Sequence, residues 1–195
     1  MPSELHIRPA EADDALEVAA LMVMAGGGIY DFLLEGMLAG ATVEQMLAAG
    51  VAGTAGSFSY RQCIVAESGG AVVGLAHAYP ALWMRDVDRA GFPADRLEHI
   101  RTFDETQDWG SLFLSALAVD PAWRRRGVAR RLLDAVYERA RTIGFDRVTL
   151  HVWADNAPAR RLYDAQGFTP AGHAAIPWHP RLPHEGGSHL LRRAV

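Results

Sequence analysis

The chain has 195 residues and 21.2 kDa, with 50% hydrophobic and 22% charged residues and a formal net charge of −4. A chain of this size builds one core and buries roughly 70% of its unfolded surface, so a single domain is expected, and the lack of a basic excess speaks against nucleic-acid binding by bulk charge. All 19 basic side chains are arginine, which removes Schiff-base lysines, lysine general bases and the Walker A lysine from consideration.

Met1-Pro2-Ser3-Glu4 shows no basic stretch ahead of an apolar core, and no run of about 18 apolar residues follows anywhere. A soluble cytoplasmic protein, away from membranes, is expected. Leu5 to Arg8 alternates like a strand, and Glu11 to Met24 reads as a helix through Ala15, Leu16, Ala19, Ala20 and Val23. Gly26-Gly27-Gly28 ends that helix, and a second helical region runs to about Ala49, before bends at Gly50, Gly53 and Gly56. Gln62 to Glu67 and Ala71 to Tyr79 flank Ser68-Gly69-Gly70 and predict an antiparallel hairpin. Cys63, within it, is the only cysteine, so internal disulfides and Cys-based zinc or redox motifs are excluded and a reducing compartment fits.

Periodicity fades from Pro80 to Trp109, where seven acids face four arginines, which reads as an acidic insertion over 80–109. Leu112 to Val119 is a mostly apolar strand ended by Asp120-Pro121. Ala129, Leu132, Leu133, Val136, Ala140 and Ile143 then mark the strongest helix, stopped by Gly144. Arg147 to Trp153 is a further strand, and Pro158 to Gln166 a short helix capped by Asp155 or Asn156 and ended by Gly167. Phe168 to Ile176 and Ser188 to Arg192 suit an antiparallel hairpin with a long Pro- and Gly-containing connection. The histidines of this tail, His173, His179, His184 and His189, lack the spacing of a zinc motif, so no metal site is expected.

Chemistry concentrates where the fourth strand gives way to the long helix. Gly127 and Ala129 let backbone N–H groups approach an anion at a helix start, and Arg124, Arg125, Arg126 and Arg130 gather charge there. Arginines at the positive end of a helix oppose its dipole, which makes sense where an anion neutralises them; a solvated arginine face is the alternative.

These residues also resemble a known family. Arg124-x-x-Gly127-x-Ala129, led by Val119-Asp120-Pro121, matches the Arg/Gln-x-x-Gly-x-Gly/Ala signature of the GNAT superfamily of acyl-CoA-dependent N-acyltransferases. Downstream, Asn156 to Phe168 resembles that family's Asn-x-x-Ala-x-x-Leu-Tyr-x-x-x-Gly-Phe segment, so the matched region covers about Ser111 to Phe168.

The resemblance implies a single-domain α/β GNAT fold over 1–195, with a mixed, mostly antiparallel sheet of about six or seven strands, splayed central strands and about four helices. It implies acetyl-CoA as acyl donor, with its pyrophosphate on backbone N–H groups of Arg125, Arg126, Gly127, Val128, Ala129 and Arg130, and its pantetheine arm between the fourth and fifth strands. Leu117, Ala118 and Val119 would offer backbone N–H groups to the thioester carbonyl. Asn156 and Ala159 would contact the arm, and Tyr163 would protonate the leaving thiolate. Asn156 and Tyr163 stand two helical turns apart, so both can reach one ligand.

Many members carry a glutamate early in the fourth strand to deprotonate the amine, and Phe113 stands there in this chain. Asp108 and Glu105 are the first candidates for the base, followed by His77, with Ser111 and Tyr79 also within the region. The expected reaction is acetyl transfer to a primary amine of a small molecule or peptide by direct attack in a ternary complex. An acyl-cysteine route through Cys63 fits less well, and a non-catalytic acyl-CoA-binding or regulatory module is the alternative. The net of −3 over 80–109 suggests steering of a cationic acceptor; the oligomeric state, homodimer included, stays open.

Overall fold

The computed structural model describes residues 4–195; Met1 to Ser3, on which part of the leader-free reading rests, lie outside the described residues. Seven strands form one sheet in the order β1-β2-β3-β4-β5-β7-β6. They are β1 (Leu5–Pro9), β2 (Cys63–Ser68), β3 (Ala71–Pro80), β4 (Leu112–Val119), β5 (Arg147–Trp153), β6 (Thr169–Ala174) and β7 (Ser188–Ala194). Every pairing is antiparallel except β4 with β5. The β2–β3 hairpin closes through Gly69 and Gly70, both at positive φ (61° and 82°), the pair of conformations a two-residue turn with native strand twist requires.

Seven α-helices occur among the described residues, where about four were expected. The first, α1 (Ala15–Gly26), starts later than its apolar pattern because Ala12–Asp14 forms a single capping turn. There the Asp14 carboxylate accepts from Glu11 N at 2.7 Å and from both terminal nitrogens of Arg8 at 2.7 and 2.9 Å, which ties β1 to the helix. The second helical region divides into α2 (Ile29–Leu34) and α3 (Val43–Val51), the latter entered through a Thr42–Gln45 capping box. The 80–109 segment is also helical, in α4 (Ala94–His99) and α5 (Arg101–Glu105). Next come α6 (Val128–Thr142) and α7 (Ala157–Ala165), close to their sequence boundaries.

The sheet is covered on both faces. Val18 and Met22 of α1 with Leu47 and Val51 of α3 pack on Val65, Leu75, Ala116 and Ala118. Leu132, Leu133 and Val136 of α6 pack on Ile64, Ala76, Leu112 and Leu114 of the other face. Period-2 alternation would put Leu112, Leu114, Ala116 and Ala118 on one face. They divide between two because β4 bulges: His77 pairs with Ala116 and Ala78 with Leu114, so Ser115 is the extra residue. The bulge inverts the facing of every residue after it and turns Ser115 out of the ladder.

Candidate active site

β4 and β5 are hydrogen-bonded only at their start, through Leu112 with Val148 and Phe113 with Thr149. Beyond Phe113 they diverge, as expected for splayed central strands, and a cavity of about 460 Å³ opens at the gap. Leu114 to Leu117 form one wall, Val152 and Trp153 of β5 another, and Asn156, Ala159 and Tyr163 of α7 a third.

Asn156 is the N-cap of α7: its side-chain oxygen accepts from Ala159 N at 3.2 Å, which leaves the amide NH₂ as its remaining donor. Tyr163 is buried, packs edge-on against Phe168 with centroids 5.5 Å apart, and its hydroxyl makes no hydrogen bond with a described residue. Burial holds that phenol well above the ordinary tyrosine range, so it stays protonated and remains a donor.

Gly127, the N-cap of α6, has φ 77° and no heavy atom within 4 Å of a Cβ built there; conformation, not crowding by the protein, demands glycine. Arg125 is the only non-glycine described residue at positive φ (63°). These two left-handed residues, with Arg126 between them, turn the chain at the head of a 15-residue helix, a geometry suited to an anion. Arg124 folds back to donate from Nε to Val119 O at 3.2 Å, and Arg126 lies over Trp123 at 5.0 Å. Val128 is buried in the core, so only its backbone is free for a ligand. Leu117, Asn156, Ala159 and Tyr163 therefore line the cavity, whereas Ala118, Val119 and Arg124 to Arg130 lie outside its walls, along the β4 to α6 corner.

The two carboxylates ranked first as base are engaged elsewhere, and neither lines the cavity. Asp108 receives Arg147 Nε at 2.7 Å and Nη2 at 2.9 Å, and this pairing holds its carboxyl below the usual range. Glu105 is half exposed and paired with Arg101 at 2.5 Å on the outer face of α5. Ser111 is fully buried and shares its hydroxyl with Thr149 at 2.6 Å. Cys63 is buried under α1, and burial pushes its thiol up to about 12, which suits a core residue and not an acyl carrier.

His77 is different. Its ring is fully buried, with Nε2 2.6 Å from the Ser57 carbonyl oxygen and Nδ1 2.5 Å from Ser115 Oγ. A carbonyl only accepts, so Nε2 carries the proton and Nδ1 accepts from the Ser115 hydroxyl. Ser115, placed by the bulge, lines the cavity, and the Tyr30 and Tyr79 hydroxyls hydrogen-bond with its oxygen. Burial lowers the His77 pKa to about 4, so the ring is neutral at pH 7 and Nδ1 is unprotonated. No sequence pattern marks Ser115, because its position depends on a bulge that leaves no composition signal.

The tail histidines make local bonds. His184 stacks on Trp153 with centroids 4.3 Å and planes 5° apart, its ring nitrogens 2.9 Å from Asp155 Oδ1 and 2.7 Å from Gly27 O. Trp153 Nε1 donates to Gly26 O at 3.2 Å, so the last loop and β5 together hold the α1–α2 joint beside the cavity.

Among solved structures, an acetyltransferase superposes with TM-score 0.73 over 97% of this chain and 99% of its own at 24% identity. An N-acetyltransferase from Staphylococcus aureus Mu50 gives 0.72 over 96% and 100% at 21% identity, and both likenesses speak to the fold. Mycothiol acetyltransferase of Beutenbergia cavernae is 49% identical over 59 residues, 30% of this chain and 20% of that protein. The [Ribosomal protein bS18]-alanine N-acetyltransferase of Salmonella typhimurium is 36% identical over 77 residues, 40% of this chain and 51% of that protein. The chain thus spans from a fifth to about half of the length of these relatives. The model of the Acetyltransferase (GNAT) family matches residues 49–168, which takes in the bulged strand, the anion loop and α7, and the chain belongs to that family.

Proposed function

We propose that the protein transfers an acetyl group from acetyl-CoA to a primary amine by direct attack, with Tyr163 as general acid and the Ser115–His77 pair as proton acceptor, in one domain over 1–195. The observation that carries this reading is the opening of the β4–β5 gap onto a cavity that an unpartnered phenol and a histidine-backed hydroxyl both line. The fit for the donor rests on the loop before α6: left-handed Arg125 and Gly127, with open space in front of Gly127, suit a pyrophosphate on the N–H groups of Arg125 to Arg130. Leu117 to Val119, lacking β5 partners, would hold the arm, together with Asn156 and Ala159.

Acetyl-CoA, when bound, supplies a thioester carbonyl as the electrophile. The amine lone pair forms the C–N bond and the C–S bond breaks. Tyr163 gives its proton to the departing sulfur, and the phenolate is restored by solvent. The nitrogen becomes acidic as its lone pair is used and must shed a proton, and the unprotonated Nδ1 of His77 is reached through Ser115. Ser115 takes the N–H proton while passing its own to Nδ1, and the Ser57 carbonyl holds the ring in the tautomer this requires.

Millimolar acetyl-CoA at about 100 times its dissociation constant should stabilise the fold by roughly 2.7 kcal/mol, a Tm rise of about 5–11 °C for this length. Gly127→Glu should abolish the rise, since a carboxylate would occupy the anion position. No rise in the wild type, or an equal one in Gly127→Glu, rejects the donor site. A binding-only protein would show the rise without amine-dependent thiol release.

A further inference from the structure

The acids of the 80–109 segment do not face the cavity as a field. Glu98 and Glu105 pair with Arg101, Asp108 with Arg147, and Asp88 accepts from Ala90 N. The segment's cavity side is apolar, because Leu97, Ile100 and Phe103 recur at one-turn steps and turn inward while Glu98, Arg101 and Glu105 point out. An apolar wall, and not the segment's net charge, is what the cavity meets there.

Away from Tyr163, the cavity wall is carried by Ile29, Tyr30, Phe58, Met84, Phe103 and Phe113. Phe113 sits edge-on to Tyr79 at 5.8 Å and to Phe103 at 6.5 Å, so the side chain that stands in place of an acid extends an aromatic lining. Among the described residues, Arg89 and Asp104 are the only arginine, aspartate or glutamate side chains lining it. They bind each other as a fork: Arg89 Nη2 lies 3.0 Å from Asp104 Oδ1, and Nη1 bonds Oδ2. Each carboxylate oxygen already accepts from the guanidinium, so the Asp104 charge is neutralised by Arg89 and a second ammonium group would have to compete with it.

We propose that the acceptor is a primary monoamine on a compact apolar or aromatic body, and that the closed Arg89–Asp104 fork excludes diamines and polyamines. The proposal rests on the transfer reading above. A neutral amine with an apolar body gains by leaving water, whereas a second ammonium would be stripped of water beside a carboxylate already paired. The cavity volume of about 460 Å³, shared with the end of the thioester arm, is of the size that holds a small molecule.

Thiol release from acetyl-CoA is to be followed with propyl-, butyl-, pentyl- and hexylamine, 2-phenylethylamine, 1,4-diaminobutane, spermidine and an alanine-led hexapeptide. Along the alkylamines kcat/KM should rise about 3- to 4-fold per methylene, the value of one buried CH₂, until the cavity fills. Pentylamine and 1,4-diaminobutane have equal heavy-atom counts, so they isolate the exchange of a methyl for an ammonium; the monoamine should lead by about 100-fold or more. Arg89→Gln opens the fork, leaves Asp104 free to pair, and should narrow that ratio at least about 10-fold. A diamine, spermidine or the peptide matching hexylamine in the wild type, a flat alkylamine series, or a ratio unmoved in Arg89→Gln overturns the proposal and leaves acetyl transfer standing. Thiol release with none of these acceptors, despite an acetyl-CoA thermal shift, rejects the transfer reading itself. The wild-type comparisons need no variant, so a misfolded substitution cannot decide the matter.

Discussion

Ser115 shows how far one residue's role depends on backbone geometry. The bulge sets it off the ladder, on the cavity wall, with its hydroxyl on His77 Nδ1. In Ser115→Ala the ring keeps its bond to Ser57 O but loses its link to the cavity. Turnover should fall about 10²-fold with little change in Tm or in acetyl-CoA affinity, as loss of a general-base relay predicts. Steady-state kinetics with the acetyl-CoA KM and kcat read separately check this; an unchanged kcat removes the pair from the proton route. From sequence, Tyr163 and Asn156 were legible because a fixed helical spacing ties them to a quoted motif. His77 was a candidate from sequence, but its link to the cavity through Ser115 was not legible, nor were the arginine partners of Asp108 and Glu105, which are set by tertiary packing for Arg147 and by the outer helix face for Arg101.

At the scale of elements, the parts with strong local signals folded where they were read. The β2–β3 hairpin has its Gly-Gly turn, and α6 combines an apolar stripe with Gly127 and Gly144 at its ends, both at positive φ. The 80–109 segment was harder because α4 and α5 are single-turn pieces of six and five residues, too short for a period to emerge against their charges. Only Leu97, Ile100 and Phe103 betray the inward face. The C-terminal loop is an element in the same sense. His184, between Asp155 and Gly27 and flat on Trp153, joins the β6–β7 connection to the α1–α2 joint. His184→Ala should cost about 1–3 kcal/mol, since it deletes a bond to a carboxylate and one to a backbone carbonyl. Urea unfolding gives the number; a loss under a few tenths would show the latch to be idle.

For the whole molecule, two buried histidines set the acid limit. Burial lowers both His77 and His151 to about 4, from an ordinary 6.5. Arg139 acts on His77 in the same direction as burial, whereas Asp104 and the bond to Thr106 O oppose it at His151. Between these pH values the unfolded chain binds protons that the folded one refuses. Stability is therefore full above about pH 6.5 and falls as pH drops toward 4, by about 3 kcal/mol per histidine. Asp14 and Asp108, held below the usual carboxylate range by their arginine partners, add their losses only at lower pH, which keeps the windows apart. Urea midpoints from pH 7 to 4.5 should trace the decline, and His151→Gln should remove about half of it; a flat profile contradicts the burial account.

One cavity at the β4–β5 gap is lined by both Tyr163 and Ser115, and the account stands on that meeting. The most direct measurement follows free thiol and N-acetylated amine in one vessel, from acetyl-CoA and hexylamine, for the wild type and Tyr163→Phe. Thiol and product should appear in equal amounts with the wild type, and turnover in Tyr163→Phe should drop about 10²- to 10⁴-fold while the acetyl-CoA thermal shift is retained. Equal turnover in the two proteins, or thiol released without acetylated amine, would contradict it.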